Sequence, residues 1–239
     1  MKTILPPAWN VPEAFKARLG EDAGRQRAMS ADGHLLLVLH EPPEPGLAER
    51  RGRLFWRAPD GEWKSNSLGN GVQALKKHLA EYSARLEELD PQLQSAETAA
   101  QFFGISQALA PLHRACGNLR AALQDARELV PGDKDLIVCR DRAENLERTT
   151  DLLHSDAKNG LDFTIARRSE EQAQRGHEMA LAAHRLNLLA AIFFPIATLS
   201  AIFGMNLEHG LQIGNTPWAF WAVLLVGFVS GLLLTMVIS

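Results

Sequence analysis

The feature that most restricts this chain of 239 residues is where its charge lies. It carries 25 Lys+Arg and 28 Asp+Glu, and 52 of these 53 residues lie at or before Arg185; the 54 residues from Leu186 to Ser239 hold only Glu208. A composition near the globular average, 46% hydrophobic and 22% charged with formal net charge -3, is therefore the mean of two unlike materials. To be a single soluble globule the chain would need enough surface to cover that tail, and the charged region is too small to supply it.

The tail reads as two membrane spans. Apolar residues run from Leu186 to Met205 with Asn187, Thr198 and Ser200 as the polar exceptions, enough for a hydrocarbon layer of ~30 Å. The first span is thus 186–206, a polar connection occupies 207–216, and 217–239 forms the second span. Pro217 suits a helix start and Trp218 and Trp221 suit an interface. Pro195 falls mid-span, tolerable in a membrane where a neighbouring helix satisfies the freed carbonyl. Arg167, Arg168, Arg175 and Arg185 precede the first span, whereas the connection has no Lys or Arg. Positive-inside then predicts a multi-pass protein of the cell (plasma or inner) membrane, with both termini cytoplasmic and the connection outside.

The charged part divides again by texture. Within 1–132 we expect a cytoplasmic α/β domain. His34 to His40 is an apolar run bounded by Gly33 and a Pro-rich stretch, which predicts a buried strand over 34–40; strands at 54–57 and 62–65 flank Asp60-Gly61, a hairpin signal. From Val72 the period becomes helical, with Leu75, Leu79, Tyr82, Leu86 and Leu89 on one face, and helices fill about 72–129. Asp90-Pro91 is expected to restart the chain, and 92–129 to form one or two further helices, with Gly104 or Pro111 as the place of a break if there are two. No proline occurs between Asp133 and Pro195. One helix is therefore expected from about Lys134 to about Phe203, ~105 Å long at 1.5 Å per residue: a cytoplasmic stalk over 133–185 that runs directly into the membrane. The fold class is α+β with a small amino-terminal sheet, mainly α overall.

So long a helix needs partners. Ala166, Ala173, Ala180, Asn187, Phe194 and Ala201 lie seven apart, the spacing of facing residues in a supercoiled bundle, and this predicts self-association.

Other classes are excluded on chemistry. Basic residues interleave with acidic ones, so no nucleic-acid footprint exists. Cys116 and Cys139 match no ligand spacing and read as reduced thiols. The start, with Pro6, Pro7 and Pro12, lacks a secretory apolar run. No nucleophile with a base, phosphate-cradling loop or apolar carboxylate pair suggests an enzyme, and no cofactor is expected.

The informative motif is Gly204-Met205-Asn206, with Pro195 eleven residues before the Asn, Phe203 before the Gly, Glu208 in the connection and a stalk helix leading in. This resembles the CorA family of divalent-cation transporters, over roughly Asp133 to Ser239. The resemblance implies a homopentamer whose first spans line a central pore, with Gly204, Met205 and Asn206 forming an ion-selectivity ring. It implies Mg²⁺ as the ion, with Co²⁺, Ni²⁺ and Zn²⁺ as alternatives; the related zinc transporters share the motif. A non-conducting membrane-anchored scaffold is the competitor from another class.

The chemistry suits that implication. Mg²⁺ sheds water reluctantly, so a site that passes it should offer neutral oxygens to the hydrated ion. Asn206 supplies an amide oxygen, Gly204 permits close backbone approach, and Glu208 would concentrate cations at the mouth. Asn187 and Thr198, three turns apart, share a face; Leu186, Phe194 and Ala201 complete the pore-lining or gate candidates, apolar rings that close by dewetting. The family commonly has Thr where this chain has Asn187, and a smaller residue where it has Phe194. The acidic pairs and clusters Glu87, Glu88 and Asp90, Asp133 and Asp135, and Glu170 and Glu171 are candidate ion sensors. His177, His184 and His209 form no close metal-binding set.

Overall fold

The computed structural model describes residues 4–44, 51–69, 71–204 and 217–238, and divides into two units, Met1–Ala166 and Arg167–Ser239. The first begins with a short helix, α1 (Glu13–Arg18), and a sheet of β1 (Arg27–Ala31), β2 (His34–His40), β3 (Gly52–Arg57) and β4 (Trp63–Ser65), antiparallel throughout in the order β1-β2-β3-β4. The strand expected over 34–40 is β2. Its run Leu35-Leu36-Leu37-Val38-Leu39 is fully buried because both faces are covered, which is why the sequence shows a block and no alternation. Leu35, Leu37 and Leu39 face the helical core with Phe55 and Trp63; Leu36 and Val38 pack with Leu54, Trp56 and Phe15 of α1 on the other side.

Two elements, α1 and β1, are absent from the sequence reading. For β1 the signal was present: Asp32 (φ 50°) and Gly33 (φ 76°) form the turn that pairs Ala31 with His34, and Asp-Gly favours the positive φ angles of a two-residue hairpin loop.

Three helices complete the unit: α2 (Val72–Gln94), α3 (Ala99–Leu129) and the first part of α4 (Lys134–Gly204). Pro91 does not restart the chain but sits inside the last turn of α2, and α3 runs unbroken through Gly104 and Pro111. The real break is a capping box. Thr98 Oγ1 accepts from the Gln101 backbone N–H at 3.3 Å, and Gln101 Oε1 accepts from the Thr98 N–H at 3.0 Å, satisfying donors that a helix start leaves open. The buried residues of each helix recur at three and four: Leu75, Leu79, Tyr82, Leu86, Leu89 and Leu93 in α2; Ile105, Leu109, Leu112, Cys116, Leu119, Leu123 and Ala126 in α3; Leu136, Cys139, Ala143, Leu146, Thr150, Leu153 and Ala157 in α4. Three such seams share one core, as in a helical bundle.

Ion pairs fix the start of α4. Asp133 accepts from Arg57 Nε of β3 at 2.7 Å and also caps α4, its Oδ1 receiving the Asp135 and Leu136 N–H groups at 3.0 and 3.2 Å; Asp135 accepts from Lys76 of α2 at 2.7 Å.

The single helix expected from about Lys134 to about Phe203 is α4, 71 residues long. From Ile165 to Asn187 every one of its residues is exposed except the half-buried Gly176. The second unit holds its carboxyl-terminal part and α5 (Pro217–Ile238).

The exposed face of the terminal helices

Local chemistry decides which side of α4 is free in the second unit. Pro195 has no N–H, so the Ala191 carbonyl loses its partner within the helix. One turn on, the Thr198 hydroxyl donates to a different carbonyl, that of Phe194, at 2.8 Å, and leaves the Ala191 oxygen unpartnered by it.

The helix α5 covers a different side. Its Gly227 and Gly231 lie against α4: a methyl on Gly227 would stand 3.1 Å from Ile196 Cγ1, and one on Gly231 would stand 3.0 Å from the Ile192 Cα and carbonyl oxygen and 3.2 Å from the Ala191 carbonyl oxygen. Ala191 is consequently buried, the deepest residue of this part of α4. At about 100° per residue, Leu186, Asn187, Phe194, Thr198 and Ala201 fall within an arc of roughly 120°; Ile192, Ile196 and Leu199 centre on the far side, and Ala191 lies at the edge of the arc, about 20° beyond Thr198. All five candidates share one exposed face, with Phe194 at 73% and Leu186 at 66% exposure. The stripe Ala166, Ala173, Ala180, Asn187, Phe194 and Ala201 is exposed at every position.

Gly204 ends α4 with open space around it and no positive φ. Met205, Asn206 and Glu208 lie outside the described residues.

The acidic candidates divide by what they touch. Asp133 and Asp135 are held in the ion pairs above, Glu88 pairs with Arg85, and Glu171 accepts from Arg167 Nε at 3.1 Å. Glu87 and Asp90, with Arg142, line a groove of about 640 Å³ between α2 and α4 floored by Leu79, Leu86, Leu146 and Leu153. Among the described residues, no three His, Cys, Asp or Glu groups converge as a metal site. Both cysteines are buried and unpaired with each other; burial pushes the Cys116 and Cys139 thiols up to about 11, which makes them inert as ligands or nucleophiles near neutrality. The sequence reading missed Gly227 and Gly231, although Gly-x-x-x-Gly in an apolar helix is a legible packing signal.

A family model described as the CorA-like Mg²⁺ transporter protein matches residues 13–239. The chain belongs to the CorA-like family. Membership covers the amino-terminal sheet and three-helix core as well as the tail, further than the motif alone reached. CorA-like proteins are transporters of divalent cations and reside in membranes, and α4 is long and apolar enough to cross one; the apolar stretch is almost wholly exposed within the chain, 6% of it being buried.

Three solved structures are similar. The CmaX protein covers 95% of this chain and 82% of its own at 11% identity and TM-score 0.53. The cytoplasmic domain of ZntB from Vibrio parahaemolyticus covers 67% of this chain and 80% of its own at 13% identity and TM-score 0.55. The CorA magnesium transporter from Methanocaldococcus jannaschii covers 89% and 78% at 15% identity, with a TM-score of 0.47. No curated protein is similar to the chain in sequence. At these identities the likenesses to CmaX and to the ZntB domain speak for the fold alone.

Proposed function

We propose that this chain is one protomer of a homopentameric channel-like transporter that carries Mg²⁺ across the cell membrane through a pore lined by the outer part of α4. The observation that carries the reading is the free face of α4: Leu186, Asn187, Phe194, Thr198 and Ala201, two of them polar, are uncovered together with Leu189, Phe193 and Ser200 beside them, on a span that α5 meets at Ala191, Ile192 and Ile196. Intramembrane polar groups turn toward a bundle interior or a watery path, so Asn187 and Thr198 favour the oligomer axis over lipid. The bare stretch from Ile165 to Asn187 supports self-association independently, since an uncovered helix with Ile165, Met179, Leu181 and Leu186 exposed is not stable by itself.

In this reading the spans are 186–206 and 217–239, the loop 207–216 is external, and 1–185 is cytoplasmic. Hydrated Mg²⁺ reaches the mouth under the pull of Glu208. Five Asn206 amides, presented by the Gly204-Met205-Asn206 ends of the five helices, accept hydrogen bonds from its water shell and select by size without the tight grip of carboxylates. The negative end of each helix dipole adds to the attraction. Below, Thr198 and Asn187 give polar rings, and Phe194 and Leu186 give apolar constrictions that dewet and close.

The test is ion uptake into proteoliposomes, Mg²⁺ against Zn²⁺, with and without a proton gradient, beside the mass of the detergent-solubilised assembly. We expect five copies, Mg²⁺ uptake independent of the gradient, and loss of that uptake in Asn206→Ala. Zn²⁺ uptake driven by protons would replace the ion. Unchanged flux in an intact Asn206→Ala oligomer would sink the selectivity ring, and a monomer or dimer would sink the central pore.

A further inference from the structure

Pro195 interrupts the hydrogen-bond ladder of α4 inside an apolar stretch, where a bare carbonyl is costly. The carbonyl it frees belongs to Ala191, and the part of α5 lying against that carbonyl is the backbone of Gly231. A methyl there would come within 3.2 Å of the Ala191 oxygen and 3.0 Å of the Ile192 Cα and oxygen, so no side chain fits without moving a backbone. One turn away, Gly227 faces mainly the Ile196 side chain, 3.1 Å from Cγ1, with Ile196 Cα at 3.3 Å and Leu199 Cδ1 at 3.4 Å. The two glycines therefore make a shallow socket for the Ala191–Pro195 break. Glycine Cα hydrogens can also offer the freed oxygen a weak C–H···O partner that no larger residue could bring so close.

We propose that Gly227 and Gly231 are positioning residues for ion transport: by seating α5 on the proline break they fix the rotation of α4, and so hold Asn187, Phe194, Thr198 and Ala201 turned away from α5 and toward neighbouring copies. The proposal rests on the pore reading of that face. Neither glycine meets the ion. Each acts through the helix it holds, so a methyl on either glycine rotates or displaces the lining and leaves the selectivity ring chemically intact.

The contacts differ in kind at the two glycines, and this gives a test that a merely structural role would not pass. Gly227→Ala meets chiefly a side chain that truncation can remove; Gly231→Ala meets backbone that no truncation removes. Mg²⁺ uptake into proteoliposomes should fall roughly tenfold in Gly231→Ala and less in Gly227→Ala. Adding Ile196→Ala should restore Gly227→Ala to within roughly twofold of Ile196→Ala alone, whereas Ile192→Ala should not restore Gly231→Ala. A second readout uses Phe194→Cys, labelled by a membrane-impermeant thiol reagent. The native cysteines are buried in the cytoplasmic core, and labelling should fall in the Gly231→Ala background with the oligomer mass unchanged.

If the unaltered chain transports Mg²⁺ and both glycine variants match it, or if Ile192→Ala restores Gly231→Ala, the positioning role is wrong and the pore reading stands. If the unaltered chain transports no divalent ion, the pore reading fails and the positioning role fails with it. Should Gly231→Ala not assemble, the Gly227→Ala and Ile196→Ala pair decides: absence of rescue overturns the proposal.

Discussion

His78 sits fully buried on α2 between Phe55 and Tyr82, each ring centroid 5.4 Å away, and its Nδ1 accepts from Arg53 Nη1 at 3.3 Å. Its Nε2 finds no acceptor among the described residues. Desolvation first, then the positive charge of Arg53, push its pKa from 6.5 down to about 3. The folded state therefore binds no proton at His78 between about pH 6.5 and 3, whereas the unfolded state does. A depressed base contributes stability that is whole above its unfolded pKa and is lost as pH falls below it. Each pH unit in that window removes about 1.4 kcal/mol, and going from pH 7.5 to 4.5 removes about 3 kcal/mol through this one group, a sizeable part of a typical 5–15 kcal/mol. His78→Phe keeps an aromatic ring in place, removes the titration, and leaves Arg53 its pairs with Glu41 and Glu81. Urea unfolding of the detergent-solubilised chain, followed by tryptophan emission between pH 7.5 and 4.5, measures the difference. The two proteins should diverge by about 3 kcal/mol across that range, the variant being the less sensitive to acid. Parallel pH profiles would refute a neutral buried His78 as a source of acid lability.

Two further outcomes follow from the cytoplasmic core. Asp133→Ala removes both the α4 cap and the partner of Arg57, whose side chain is 17% exposed, so urea unfolding should show a loss of about 3–5 kcal/mol; Asp133→Asn, which keeps a capping oxygen, should lose less. With their pKa values raised to about 11, Cys116 and Cys139 should resist iodoacetamide at pH 8 in the folded protein, where roughly 0.1% would be thiolate, and both should react in urea. Rapid labelling of the folded chain would show that the α3–α4 seam is open.

The sequence by itself determined where the chain changes solvent. All but one of the charged residues lie at or before Arg185, an arithmetic fact that no tertiary contact can alter, and the absence of proline between Asp133 and Pro195 made α4 legible almost to its ends, because a helix needs only its own backbone to be continuous. The block Leu35 to Leu39 was legible as a strand for a related reason: burial on both faces leaves no other reading for so short a run. Pro91 misled, since a proline near a helix end loses little; of the one or two helices left open beyond it there is one, α3, which carries Gly104 and Pro111 in its interior and packs its buried face into the shared core; the capping box at Thr98 and Gln101 and the Asp32-Gly33 turn were written locally and went unread. Only tertiary structure decided which face of α4 is free. Leu186, Asn187, Phe194, Thr198 and Ala201 could be placed on one arc by spacing, but an arc on a helix in lipid has no preferred direction until something covers the opposite side. What covers it is α5, and it can do so because Gly231 meets the Ala191 and Ile192 backbone, and Gly227 the Ile196 side chain, with no β-carbon between them, a relation between distant segments that neither segment expresses alone.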